Sequence, residues 1–145
     1  MFINIDKLLE NETDPRKLGY FSYAVSIFDG WLSRETYTAS VELIRRTKHQ
    51  DTNNKRINLL SMFYEKDIIL YKDGRKFPFK SKEDYLNQIT QAINTEHELT
   101  LLSPNYCAII QITYDYTDIL HFTKKKYIDL IKKNVAKEGL HIFTY

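Results

Sequence analysis

A run of alternating side chains between Cys107 and Tyr116 constrains the fold more than any other stretch of the sequence. Every second residue from Ala108 onward is apolar or aromatic, namely Ala108, Ile110, Ile112, Tyr114 and Tyr116. The run is also rich in β-branched residues, which favour strands. Because successive side chains of a strand point to opposite faces, this pattern predicts a strand with one apolar face.

A β-hairpin is predicted earlier in the chain, within DIILYKDGRKFPF. The dipeptide Asp73-Gly74 separates two short β-like runs and is the strongest short-range hairpin signal in the sequence. Pro78 lacks an N–H to donate to a sheet, so it confines the second run to a sheet edge. Three further runs have strand character, namely ELTLLS, DILHF and the final LHIFTY. Most predicted strands therefore fall in the second half of the chain.

Helices are predicted before, between and after these strands. Ser33 is a candidate N-cap for a helix that ends near Lys48, with Tyr37, Val41 and Ile44 on one face. The polar stretch 48–55 indicates a loop, and a shorter helix is predicted over residues 57–64. Ser81 opens another helix, and a basic helix is predicted from about Lys124 to Glu138, ended by Gly139.

Residues 15–28 allow two interpretations. Asp14-Pro15 resembles an N-cap followed by proline at the first helical position, and Leu18, Phe21, Val25 and Phe28 recur at helical spacing. The competing pattern is a strand with Phe21, Tyr23, Val25 and Ile27 on one face. We favour the helix, while the strand remains the alternative.

These elements predict an α+β fold in a single domain spanning residues 1–145. N-terminal helices are expected to pack on one face of a mostly antiparallel sheet formed by the C-terminal half. A chain of 145 residues with 43% hydrophobic residues is long enough to bury a core without disulfides or metals.

Charge and cysteine usage limit the function classes. The net charge is +2, with 21 basic and 19 acidic side chains mixed along the chain, which is not typical of a dedicated nucleic-acid binder. The single Cys107 excludes an internal disulfide and a multi-cysteine zinc site and suits a reducing compartment. No apolar stretch is long enough to span a membrane and the N-terminus has no signal-peptide pattern. We therefore expect a cytoplasmic protein without a membrane partner.

The segment DYTDILH contains residue types that serve in metal and acid/base sites. In a helix Asp115, Asp118 and His121 would share one face, but on a continuous strand Asp115 and His121 would lie about 20 Å apart. Only a hairpin turn near residues 116–118 would return His121 to the preceding strand, and Asp118 is then explained as a turn residue. We expect no metal site here, and we expect Tyr114, Asp115, Tyr116 and Asp118 to form an exposed rim that binds a partner.

Three consecutive lysines begin the predicted basic helix. Thr123 is the expected N-cap, so Lys124, Lys125 and Lys126 would lie in the first turn, where the helix dipole disfavours cations. An anion such as a phosphate would offset this cost, which makes the three lysines a candidate anion-binding site. A solvated charged face is the favoured interpretation, because Ile128, Ile131 and Val135 supply the buried stripe.

No motif for a cofactor, a catalytic centre or a metal is present. Cys107 has no nucleophile signature around it, and His49, His97 and His141 are isolated in the sequence. The four glycines are far apart, so no glycine-rich phosphate loop exists. We therefore expect no cofactor and do not expect an enzyme.

A compact chain with 11 tyrosines and no catalytic motif favours a protein-binding role, because tyrosine suits interfaces. In size and composition the chain resembles the bacterial immunity and antitoxin proteins, which neutralise a toxin by covering its active surface. That resemblance implies a protein partner, such as a toxin, although the lack of acidic balance disfavours a basic nuclease. Two alternatives remain: nucleic-acid or phosphate-ligand binding through Lys124–Lys126, and a small enzyme with an acid/base pocket including Asp115 and His121.

Overall fold

The computed structural model describes residues 4–10 and 13–145. Within these residues it contains five α-helices, two 3₁₀ turns and seven strands. In chain order they are α1 (Ile5–Leu9), a 3₁₀ turn (Pro15–Leu18), β1 (Phe21–Ser26), α2 (Arg34–Thr47), α3 (His49–Ser61), β2 (Ile69–Lys72), β3 (Arg75–Pro78), α4 (Lys82–Asn94), β4 (Leu99–Ser103), β5 (Ala108–Ile112), β6 (Thr117–Phe122), a 3₁₀ turn (Lys125–Tyr127), α5 (Ile128–Lys137) and β7 (His141–Thr144).

All seven strands form one antiparallel sheet in the order β3-β2-β4-β5-β6-β1-β7. The predicted α+β class is confirmed, as is the hairpin, whose Asp73 and Gly74 have φ angles of 51° and 72°. Positive φ at both central positions gives the turn a twist that matches its strands. Pro78 lies in the edge strand β3, as expected.

Helices α3, α4 and α5 cover one face of the sheet, and the main core lies between these helices and the sheet. Leu59 and Leu60 of α3, Ile89 of α4 and Ile131 of α5 are buried against it. The sheet contributes alternate residues of β5, among them Ala108, Ile110 and Ile112. The apolar face predicted from the alternating run is therefore the core face.

The second face of the sheet has a smaller apolar cluster, which includes Leu8 of α1, Tyr20 and Ile109. It also carries buried polar side chains, among them Ser22 and His121. Two concavities lie on this face among the described residues. None of the described helices is both long and apolar enough to cross a membrane.

The favoured helix over residues 15–28 is wrong beyond Leu18. Asp14 does cap a short turn, since its carboxylate accepts a hydrogen bond from the Arg16 N–H, but Gly19 ends that turn at φ 88°. The chain then enters β1, which pairs with β6 on one side and β7 on the other. Burial in the sheet interior selected the strand over the helical spacing.

The polar stretch 48–55 is not a loop but the first half of α3, which continues through the predicted helix over 57–64 only as far as Ser61. Thr52, Asn53 and Arg56 are buried despite their polarity. Asn53 and Arg56 face hydrogen-bonding groups of other elements, so polarity here marks a buried network rather than exposure.

Candidate partner-binding site

The β5–β6 hairpin holds most of the predicted site residues. Its register pairs Ile109 with His121 and Gln111 with Ile119, so a turn over residues 113–116 does return His121 to the preceding strand. Tyr116 occupies a left-handed position in this turn, at φ 64°. Asp118 was predicted to be a turn residue, but it lies within β6. Asp118 is not a turn residue because the turn comes earlier in the chain than expected and β6 begins at Thr117.

Asp118 is not part of an exposed rim, contrary to prediction. It forms a buried ion pair with Arg56, whose Nη2 and Nε lie 2.6 and 2.9 Å from its two carboxylate oxygens. The Thr113 N–H donates to the same carboxylate, and Arg56 donates to the Thr113 carbonyl. Burial acts to lower the pKa of Arg56, but the charge and hydrogen bonds of Asp118 outweigh it and raise that pKa. These bonds tie the hairpin to α3.

Tyr116 is also buried rather than exposed. Its ring packs with Val41 and Ile44 of α2, and its hydroxyl lies 2.7 Å from Nδ1 of His49. Burial raises the pKa of the Tyr116 phenol. The hydroxyl that suggested an interface tyrosine is therefore used within the fold.

Asp115 lies at the surface end of the hairpin and is half-buried. It accepts hydrogen bonds from the Tyr37 hydroxyl at 2.7 Å, from the Thr113 hydroxyl and from the Thr117 N–H at 3.2 Å. Burial and then the bond to Asp115 raise the pKa of Tyr37. Tyr114, next to Asp115, is 55% exposed. Of the four predicted rim residues, Tyr114 and Asp115 alone reach the surface.

His121 belongs to a separate network from Asp115. Its Nδ1 lies 2.6 Å from the Ser22 hydroxyl and its Nε2 lies 2.8 Å from Oε1 of Gln111. Because Gln111 Oε1 only accepts, the imidazole donates from Nε2 and accepts from Ser22 at Nδ1. Burial lowers the pKa of His121 to about 4, so the ring is neutral at pH 7. A serine beside a histidine is the start of a nucleophilic site, but both side chains are buried here.

Other titratable side chains do not assemble into a metal centre. Across residues 4–10 and 13–145, no group of three histidine, cysteine or carboxylate side chains has metal-binding geometry. Cys107 is half-buried, with its thiol 3.6 Å from the Pro104 carbonyl. His49 is half-buried against Tyr116, and His97 and His141 are exposed.

The three lysines do not begin an α-helix as predicted. Lys124 is extended, Lys125 and Lys126 lie in a 3₁₀ turn, and α5 starts only at Ile128. Thr123 does not act as N-cap, because its hydroxyl donates to the Cys107 carbonyl. The Lys125 and Lys126 ammonium groups lie 4.8 Å from the ring centroids of Phe21 and Tyr127. The unfavourable interaction expected between these lysines and the dipole of an α-helix is therefore absent.

An exposed aromatic surface lies on the second face of the sheet, beside the β5–β6 turn. A concavity of about 360 Å³ is lined there by residues that include Trp31, Glu98, Thr113, Tyr114, Asp115 and Tyr145. We call it the aromatic groove. Trp31 is 62% exposed, Tyr114 55% and Tyr145 44%. Ile119 of β6 also lines the aromatic groove. An adjoining concavity of about 230 Å³ reaches Leu9 and shares with the groove the residues Glu98, Thr113, Ile119 and Tyr145.

Trp31 is held by the edge strand β7. Its indole N–H donates to the Thr144 carbonyl at 3.3 Å, and its ring stacks edge-to-face on Phe143 at 5.1 Å. Tyr145 packs against Trp31 at 5.9 Å and against His121 at 6.0 Å. The rings are therefore positioned by the sheet although their outer faces are open.

The charge of the groove is uniformly acidic. Glu98 and Asp115 are the charged residues among the described lining of both concavities. Glu98 is exposed and has no hydrogen bond or ion pair within the part of the chain that the structure describes. Sequence reasoning missed Trp31, Glu98 and Tyr145. The one usable signal was Trp31 itself, the single tryptophan, placed directly after the Asp29-Gly30 turn.

Comparison with protein-family models, with curated proteins and with solved structures found no match to this chain.

Proposed function

We propose that this is a non-catalytic protein that binds another protein through the aromatic groove. The observation that carries the proposal is the convergence of three largely exposed aromatic side chains, Trp31, Tyr114 and Tyr145, on one concavity. Tryptophan and tyrosine are the residues most enriched among those that dominate the binding energy of protein interfaces.

The aromatic groove is also prepared for binding. Trp31 is fixed to β7 by a hydrogen bond and two ring contacts, and the turn that carries Tyr114 is fixed by the bonds of Asp115. Side chains that are already ordered lose little conformational entropy when a partner covers them.

The narrower form of the proposal is a cytosolic inhibitor of the immunity or antitoxin type, which would cover the active surface of a toxin. The free Cys107 agrees with a reducing compartment. The absence of an accessible catalytic arrangement among the described residues agrees with action by binding, since the Ser22–His121 pair is buried.

Capture experiments with groove variants test this proposal. Tagged wild-type protein, Trp31→Ala and Tyr145→Ala are each incubated with lysate of the native host at two salt concentrations. Phe77→Ala is the matched control, because Phe77 is 45% exposed on the opposite edge strand β3. We expect a stoichiometric protein that wild type and Phe77→Ala retain and both groove variants lose.

Two results would contradict the proposal. One is a partner retained equally by Trp31→Ala, Tyr145→Ala and wild type. The other is recovery of nucleic acid that is released at high salt, which would favour the alternative through Lys124–Lys126. Thermal melts of each variant establish that a loss of capture is not a loss of folding.

A further inference from the structure

We infer that the partner inserts an arginine side chain into the aromatic groove, between its exposed rings and its two carboxylates. This inference rests on the proposed function and names the chemistry of the partner. It follows from the combination of aromatic faces and exclusively acidic charge in one concavity.

The charged side chains of the aromatic groove are acidic. Glu98 and Asp115 line the groove, and no lysine, arginine or histidine appears among its described lining residues. Among the residues that the structure describes, no cation pairs with Glu98, whereas the exposed Glu96 pairs with Arg45 at 2.9 Å. Asp115 accepts three hydrogen bonds, all from neutral donors, and forms no ion pair with a described side chain, although the charge of the buried Arg56 acts on it. A neutral or anionic side chain would leave both charges unpaired, whereas a cation would pair with them.

The aromatic rings of the groove are open to a cation. The cation–π contacts that the described residues make among themselves fall on Phe21, Tyr23 and Tyr127. None covers Trp31, Tyr114 or Tyr145 in the described structure, and tryptophan is the ring that attracts cations most strongly. The rings of the groove therefore have a cation-binding capacity that the chain itself does not use.

Arginine fits the aromatic groove better than lysine does. The guanidinium group is planar, stacks on aromatic faces and donates two parallel hydrogen bonds to one carboxylate. Lysine is a more strongly hydrated point charge and matches a groove with flat walls less well. A volume of about 360 Å³ accommodates a single long side chain rather than a folded element.

Blocked five-residue peptides test the inference without knowledge of the partner. Acetyl-Gly-Gly-Arg-Gly-Gly-amide is titrated into the full chain, and peptides with lysine or with citrulline, the uncharged analogue of arginine, replace it in parallel. Trp31 is the single tryptophan, so its fluorescence and its indole N–H resonance report on the groove directly.

We expect the arginine peptide to shift the Trp31 signals with weak affinity that falls as salt rises, the lysine peptide to bind several-fold less tightly, and the citrulline peptide to leave the signals unchanged. Glu98→Gln should weaken binding by up to about fivefold, because it removes one exposed ion pair. Glu83→Gln, an exposed acid in the first turn of α4, should have no effect. Equal shifts from arginine and citrulline peptides, or no shift from arginine, would overturn the inference.

The inference and the proposed function fail separately. Capture of a partner that depends on Trp31, together with no response to the arginine peptide, overturns the arginine assignment and leaves the protein-binding role intact. A response to the arginine peptide with capture that survives Trp31→Ala overturns the protein-binding role through this groove.

Discussion

Arg56 of α3 and Asp118 of β6 form an ion pair at 2.6 Å in which both side chains are at most 3% exposed. The pair joins a helix to the strand after the β5–β6 turn, and the same guanidinium also holds the Thr113 carbonyl. The turn that presents Tyr114 to the aromatic groove is therefore anchored from beneath by a buried charge pair.

Removing one partner of this pair should be severely destabilising. We expect Arg56→Ala to lower the free energy of unfolding by about 3–5 kcal/mol, because Asp118 would remain buried and uncompensated. Urea unfolding measures the loss. Replacing both residues, as in Arg56→Met with Asp118→Leu, should recover much of it.

The matched control is Arg45→Ala, which breaks exposed ion pairs with Glu42 and Glu96. It should cost less than about 1 kcal/mol. A loss from Arg56→Ala no larger than that of Arg45→Ala would show that the buried pair does not stabilise the fold.

His121 should make the protein less stable in mild acid. Burial lowers its pKa from 6.5 to about 4, so between these values the unfolded chain binds a proton that the folded chain does not. The stabilisation is complete above pH 6.5 and is lost as the pH falls towards 4, by about 3 kcal/mol for this group. Unfolding midpoints across this range measure the effect, and the ring resonances of His121 should titrate near pH 4.

Substituting His121→Gln should flatten the pH dependence between pH 6.5 and 4. The exposed His97 provides the control, and His97→Gln should leave the dependence unchanged. If His121 titrated near 6.5 in the folded protein, burial would not control its protonation and the prediction would be wrong.

The two tyrosines that flank Asp115 should separate stability from binding. We expect Tyr116→Phe to cost about 1 kcal/mol of unfolding free energy, because its hydroxyl bonds to the part-buried His49. Tyr114→Ala should change stability by less than about 0.5 kcal/mol, because the side chain is exposed, yet should weaken partner capture. Denaturant unfolding and partner capture are measured on both variants. A loss of stability in Tyr114→Ala, or a loss of capture without loss of stability in Tyr116→Phe, would contradict the prediction.

The lysines at 124–126 should make a modest contribution to stability and should not bind nucleic acid. With Lys125 and Lys126 over neighbouring rings, replacing all three by glutamine should cost at most about 2 kcal/mol. Labelled single-stranded DNA should show no steeply salt-dependent binding to wild type by fluorescence anisotropy. Binding that is strong at low salt and lost in the triple variant would revive the nucleic-acid alternative.

The strands other than β1, the hairpin and several helix boundaries were readable from the sequence, because their signals are local. Alternation with a period of two identifies β5, a pair of residues that tolerate positive φ identifies the β2–β3 turn, and Ser33 and Ser81 cap their helices through bonds to residues three positions on. These features depend on the backbone and its nearest neighbours alone, so no tertiary contact is needed to predict them.

The candidate site was decided by tertiary structure. Arg56 and Asp118 are 62 residues apart in the chain, and Phe21 pairs with Phe122. Such partners turned a predicted helix into β1 and a predicted loop into α3, and they buried two residues of the predicted exposed rim, Tyr116 and Asp118. The aromatic groove likewise combines Trp31, Glu98, Tyr114 and Tyr145 from four separate segments. The sequence by itself determined the elements whose signals are local. The packing of distant segments decided β1, the start of α3 and which polar and aromatic side chains water can reach, because burial depends on neighbours distant in the chain.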